Sequence, residues 1–181
     1  MNIVLYCSSR DNLDNAFQDT AKVVGEWIGE NRHSLVYGGV DAGMMHIAAL
    51  YAKNCGATII GVIPERFKNR ADELNDKLIF TADLCERKAK MIELGDIFIV
   101  LPGGIGTIDE WMSTLSQFVV EADERRKIIV VNINGIYDNI INQIKITAQS
   151  PFARSNALNS SIIVTSIDEF INELNKLNPM L

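Results

Sequence analysis

Residues 96–112, DIFIVLPGGIGTIDEWM, decide the reading of the fold. An apolar run from Ile97 to Leu101 passes through Pro102 into a turn that holds Gly103, Gly104 and Gly106. Beyond it, Thr107, Ile108, Asp109 and Glu110 begin a segment of helical spacing that contains Trp111, Leu115 and Phe118. The order is strand, glycine turn, helix. Glycines let a backbone turn tightly and approach a ligand closely, and the free N–H groups and dipole of a helix start favour an anion there. Thr107 can cap the helix or donate its hydroxyl to a phosphate. The alternative is a turn whose glycines serve geometry alone. The segment has no G-K-[ST] of a Walker A loop and no well-spaced G-x-G-x-x-G, so neither a nucleoside triphosphate nor a dinucleotide is indicated.

Outward from this stretch the same pattern repeats. Apolar runs recur at 2–7, 34–39, 57–64, 77–82, 96–102, 127–133 and 161–166. Most are continuously apolar, as in strands covered on both faces of a parallel sheet. Helical stripes lie between them: Phe17, Ala21, Val24 and Ile28; Ile136, Ile140 and Ile144; Ile167, Phe170, Ile171 and Leu174. Alternation of this kind predicts an α/β fold, a Rossmann-like, doubly wound, mainly parallel sheet of about seven strands flanked by helices. One nucleotide-binding domain over 1–181 is expected, with ligands beyond the carboxyl ends of the strands. The segment 148–161 has the weakest pattern and is read as a loop after a helix.

Composition narrows the partners. The 181 residues are 48% hydrophobic and 22% charged, which suits a chain with a sizeable core. A formal net charge of -6 argues against binding nucleic acid by phosphate neutralisation, while leaving room for a local basic pocket and a small anion. Three cysteines (Cys7, Cys55, Cys85) and two histidines (His33, His46) form no disulfide or zinc pattern, so no metal and no cofactor are expected. Neither a signal peptide nor a membrane span is visible, and a cytoplasmic location is the expectation.

Three further clusters fall at predicted strand ends. Ser8, Ser9 and Arg10 follow the first run, and Gly38, Gly39 and Gly43 follow the second, opening a helix at about Ala42 to Lys53. Upstream of the glycine turn, Glu86, Arg87, Lys88 and Lys90 enter a helix whose Ala89, Met91 and Ile92 would pack on the sheet. Cations at a helix start oppose the macrodipole and ask for an anionic partner, unless the run is simply solvated. Glu110 either reaches a sugar attached to a bound phosphate or merely complements the dipole; Asp109 is expected in solvent. Cys85, beside Arg87, reads as a reactive thiol or as a small residue lining a pocket.

Taken in order, YGGVDAGMM, ERKAKM and PGGIGTIDE resemble the LONELY GUY family, the cytokinin riboside 5'-monophosphate phosphoribohydrolases and their bacterial relatives, from Ile3 to about Tyr137. The family pattern P-G-G-x-G-T-x-x-E is present as Pro102, Gly103, Gly104, Gly106, Thr107 and Glu110, and R-K-x-x-M as Arg87, Lys88 and Met91. The resemblance implies a homodimer that cleaves the N-glycosidic bond of a nucleoside 5'-monophosphate such as AMP to free base and ribose 5-phosphate. It implies Arg87 and Glu110 as the catalytic pair. It also implies Ser8, Gly38, Gly39, Lys88, Gly103, Gly104, Gly106, Thr107 and Ser116 as substrate- or phosphate-binding positions. The chain departs from the pattern at Val40, His46, Cys85 and Val119. A nucleotide sensor or carrier that keeps the pocket without hydrolysis is the alternative. The label lysine decarboxylase, often attached to such sequences, needs a pyridoxal-phosphate lysine for which nothing here argues.

The chemistry gives these residues tasks. Breaking a ribosyl C–N bond builds positive charge on the sugar and negative charge on the departing base. Glu110 suits the sugar, the glycine loop suits the 5'-phosphate, and Arg87 suits either the phosphate or the leaving group.

Overall fold

The computed structural model describes residues 1–152 and 160–177, and all seven apolar runs are strands in it. They are β1 (Asn2–Tyr6), β2 (Ser34–Tyr37), β3 (Thr58–Pro64), β4 (Lys77–Thr81), β5 (Ile97–Val100), β6 (Lys127–Val131) and β7 (Ser161–Val164). The helices are α1 (Asn15–Glu30), α2 (Gly43–Asn54), α3 (Leu84–Leu94), α4 (Ile105–Glu121), α5 (Asp138–Ala148) and α6 (Ile167–Leu177), with 3-10 turns at Glu65–Arg70 and Ile133–Gly135. One sheet runs in the order β4-β3-β2-β1-β5-β6-β7, and every pairing in it is parallel.

The centre of the sheet is covered on both faces, which is why most strands read as unbroken apolar runs, whereas the edge strand β4 leaves Leu78 and Phe80 exposed. Alternate residues point to opposite sides. Ile3, Leu5, Ile97 and Ile99 pack under α1, α2 and α6, whereas Val4, Tyr6, Phe98 and Val100 pack under α3, α4 and α5. The chain builds outward from β1 to β4, then returns to place β5 on the other side of β1. At that reversal the loops leaving β1 and β5 diverge to opposite faces and open a crevice at the carboxyl ends. Two backbone bonds continue the pairing to its rim, from Leu101 N–H to the Tyr6 carbonyl (2.9 Å) and from Ser8 N–H to the Pro102 carbonyl (3.2 Å).

Some local expectations shift. The α5 stripe is one residue out: the helix starts at Asp138, Ile136 lies before it and is 47% exposed, and Ile141 is the buried anchor between half-buried Ile140 and Ile144. A short left-handed turn at Asn134 and Gly135, which the apolar spacing does not record, delays the helix. In α3, Met91 and Ile92 are buried but Ala89 is exposed. The segment 148–161 begins with the end of α5, and its residues 153–159 lie outside the described residues. No helix among the described residues is long and apolar enough to cross a membrane.

Candidate functional site

The glycine turn is built around a helix start with no side-chain cap. Gly104 is the N-cap residue and α4 begins at Ile105, so Thr107, for which capping is one of the two expected roles, lies inside the first turn. Sequence preference for a hydroxyl cap pointed to Thr107, but a glycine occupies that role and offers no side-chain oxygen. The first turn of α4 carries no acid either. The leading N–H groups therefore keep their donors and the positive end of the dipole for something outside the helix. Thr107 is buried and fills the space beside Gly103, where an added Cβ would sit 2.1 Å from its Oγ1. Gly103 is thus a requirement of space, and it folds the turn tightly onto the helix.

A cavity of about 510 Å³ opens in front of this helix start, at the β1–β5 crevice. Its polar wall includes Ser8, Arg10, Arg70, Arg87, Thr107 and Glu110, and Val40, Met45 and Phe67 make an apolar side. The volume lies within the roughly 300–1,000 Å³ of small-molecule sites. Arg10 and Arg70 form no ion pair among the described residues, so the cavity carries positive charge although the chain is net acidic. Ser8 is held in place at three points: its N–H donates to Pro102, its carbonyl accepts from Met44 N–H (3.1 Å), and its Oγ accepts from Arg10 N–H (3.1 Å).

Arg87 and Glu110 meet at the cavity wall. Asp83 caps α3 by accepting from the N–H groups of Cys85 (2.8 Å) and Glu86 (2.9 Å), and Arg87, in the first turn, reaches across to α4. Its Nη2 donates to Glu110 Oε1. The anionic partner that a cation at a helix start demands is thus supplied by the neighbouring helix. Arg87 Nε is buried and has no hydrogen-bond partner, a condition that costs on the order of 1–3 kcal/mol until an acceptor arrives. Glu110 is only 3% exposed. Burial pushes its carboxyl up to about 7 against the opposing pull of the Arg87 guanidinium, with the Asp109 charge adding to the rise. The turn bearing Glu110 is buttressed from below, where Thr114 Oγ1 donates to the Glu110 carbonyl (2.9 Å) and lies 3.0 Å from the Tyr6 hydroxyl.

The other expected residues divide. Ser8, Gly104, Gly106 and Thr107 line the cavity with Arg87 and Glu110. Gly103 shapes the loop from behind. Gly38 faces the Met45 sulfur and the Arg87 guanidinium, where an added Cβ would lie 3.2 Å and 3.5 Å away, so it makes room for Arg87 without lining the cavity. Gly39, at φ +71°, packs on the Gly61 backbone. Lys88 is drawn away: its Nζ donates to both Asp109 carboxylate oxygens at 2.8 Å, and Asp109 is exposed, as expected, while holding this pair. Ser116 is exposed on α4 and is not part of the cavity lining, and the same holds for Cys85 on α3. Arg70 and Phe67 had no signal in the sequence, because they arrive on a 3-10 turn that carries no motif.

Known proteins share this sequence and this fold. A family model described as "Possible lysine decarboxylase" matches residues 43–174. The chain is 31% identical over 166 residues to the cytokinin riboside 5'-monophosphate phosphoribohydrolase of Rhodococcoides fascians, covering 90% of this chain and 83% of that protein. It is 28% identical over 179 residues to the cytokinin riboside 5'-monophosphate phosphoribohydrolase LOG of Oryza sativa subsp. japonica, covering 98% and 74%. Among solved structures it is similar to the Moco carrier protein from Chlamydomonas reinhardtii, with TM-score 0.73, 18% identity and coverage of 99% and 98%, a likeness of fold.

Proposed function

This chain belongs to the LONELY GUY family, and from that premise we propose that it hydrolyses the N-glycosidic bond of a nucleoside 5'-monophosphate, releasing free base and ribose 5-phosphate. The observation that carries the reading is the ion pair of half-buried Arg87 with buried Glu110, one helical turn beyond a glycine-framed helix start that has no side-chain cap. A phosphate accepted by the N–H groups at the start of α4 anchors the ligand, and the short step along the helix brings its ribose to Glu110. Ionised Glu110 holds ribose hydroxyls, faces the positive charge that grows at C1', and orients the attacking water. The electron pair of the C1'–N bond leaves with the base and the water oxygen bonds to C1'. One water proton stays on the new hydroxyl and the other passes to the Glu110 carboxylate, while the departing base takes up a proton, so that the net reaction consumes one water. Arg87 offers its unpaired Nε–H to an acceptor on the ligand. The apolar side at Val40, Met45 and Phe67 receives the base. A homodimer and a cytoplasmic location belong to the same proposal.

Incubation with a panel of nucleoside 5'-monophosphates, beginning with AMP, tests it. Equal amounts of free base and ribose 5-phosphate are expected, with no base released from the corresponding nucleosides, which lack the anchoring phosphate. Binding of the monophosphates without any product would overturn the reading in favour of a carrier or sensor.

A further inference from the structure

Away from the glycine loop, two segments are tied together by their backbones. Val40 and Ala71 form an antiparallel bridge, Asp41 N–H donates to the Arg70 carbonyl (3.1 Å), and Asp72 N–H donates to the Gly39 carbonyl (2.8 Å). These bonds hold Asp41 and Asp72 on either side of His46, which stands in the first turn of α2. His46 Nδ1 is 3.1 Å from Asp41 Oδ1 and 2.8 Å from Asp72 Oδ2, and the three potential ligand atoms lie within 4.8 Å of one another.

We propose that Asp41, His46 and Asp72 form a binding site for a divalent transition-metal cation of the zinc type. Zinc takes nitrogen and carboxylate oxygen at about 2.0–2.2 Å, so two ligands at tetrahedral or square angles stand roughly 3.0–3.4 Å apart. The two separations from His46 lie close to this range, and the two carboxylate oxygens, within 4.8 Å of each other, would draw together around the ion. Two carboxylates and a neutral imidazole carry two negative charges, which a dication neutralises, whereas a protonated imidazole alone leaves one uncompensated. The imidazole nitrogen favours zinc over magnesium. Asp72 is 3% exposed and is oriented from behind, its Oδ1 accepting Leu74 N–H at 3.0 Å, as a supported ligand should be. A second observation points to the same place. The Tyr37 hydroxyl is fully buried, makes no hydrogen bond of full geometry, and faces the side chains of Asp72 and Asn75. Its O–H is placed toward the Asp72 carboxylate, as an outer partner of that ligand would be. Asp41 is exposed, which leaves an approach for the ion and for water. A bound cation would pin the 38–43 turn to the 70–75 segment and so stiffen the cavity wall that carries Val40 and Arg70.

The test is calorimetric titration of the EDTA-stripped protein with Zn²⁺ and, separately, Mg²⁺, with thermal melting in parallel. One equivalent of zinc bound, a raised melting temperature and much weaker magnesium binding are expected. His46→Ala should weaken zinc binding at least about tenfold, since a direct ligand matters no less than an outer-shell partner. Asp41→Asn, at an exposed position, should weaken it as well and serves if His46→Ala fails to fold. Cys85→Ser should bind as the natural protein does. Absence of saturable stoichiometric binding, wild-type affinity in the His46 or Asp41 variant, or loss of binding with Cys85→Ser would each overturn the site. Zinc uptake is read without substrate, so its outcome is independent of nucleotide hydrolysis.

Discussion

Arg87 and Glu110, 23 residues apart on α3 and α4, form one ion pair at the cavity wall, and their neighbours Lys88 and Asp109 form a second pair directed outward. Adjacent residues on each helix thus make adjacent contacts with opposite roles. The inner pair, with Glu110 buried and Arg87 half-buried, faces the ligand cavity, while Asp109 in the outer pair is 56% exposed at its side chain.

Loss of either inner side chain should remove turnover while leaving the fold. Arg87→Ala and Glu110→Gln are each expected to lower kcat for base release by about 100-fold or more, the scale of a lost general-base or electrostatic group. Base release and melting temperature are measured together. Near wild-type rates would reject the assigned roles.

The Lys88–Asp109 pair should matter much less. Partly exposed ion pairs contribute about 0–1 kcal/mol, so Lys88→Ala should shift melting only slightly. Because Lys88 does not reach the cavity, KM for a nucleoside monophosphate should stay within about threefold of the natural value, less than 1 kcal/mol of binding. A rise of tenfold or more would place Lys88 on the phosphate after all.

Activity and stability should respond oppositely to pH. Glu110 works as the carboxylate and titrates near 7, so kcat/KM should rise as pH increases through about 7. Its folded value stands above its value in an unfolded chain, so the folded state holds the proton more firmly. Its stabilising contribution is complete below about 4.5 and is lost as pH climbs through about 7. Melting curves between these limits should show that decline, and Glu110→Gln should remove it.

Gly103→Ala is expected to damage the loop. A Cβ there would sit 2.1 Å from Thr107 Oγ1 and 2.6 Å from its Cβ, so the whole buried side chain must move. Overpacking of this kind costs about 1–3 kcal/mol, and the displaced loop should also raise KM. Gly104→Ala meets nothing within 4 Å and provides the comparison, with a smaller loss of stability.

Gly25 tests the fold far from the site. A Cβ on it would fall 2.5 Å from the Ala48 carbonyl oxygen, where α1 crosses α2. Backbone cannot swing aside as a side chain can, so Gly25→Ala should separate the helices and lower stability by about 1–3 kcal/mol. Unchanged melting would show that the helices are not in such close contact.

All seven strands are legible in the sequence to within a residue or two at their ends, because burial on both faces leaves most of them unbroken apolar runs. The Arg87 and Glu110 motifs were equally visible as residue types at fixed spacing. Helix starts were less so. Gly104 caps α4 without the hydroxyl signature that drew attention to Thr107, and a left-handed turn shifts α5 off the spacing of Ile136.

Local sequence determined which segments are strands, which faces are apolar and where bare backbone meets an acid, since these depend on neighbours a few residues away. Only the tertiary structure decided which loops share the crevice. Parallel crossovers carry distant strand ends to one edge of the sheet, which sets Arg70 and Phe67 beside Arg87, turns Lys88 toward Asp109, and closes Asp41 and Asp72 around His46. Such meetings follow from the path of the chain through space, and spacing along it does not record them.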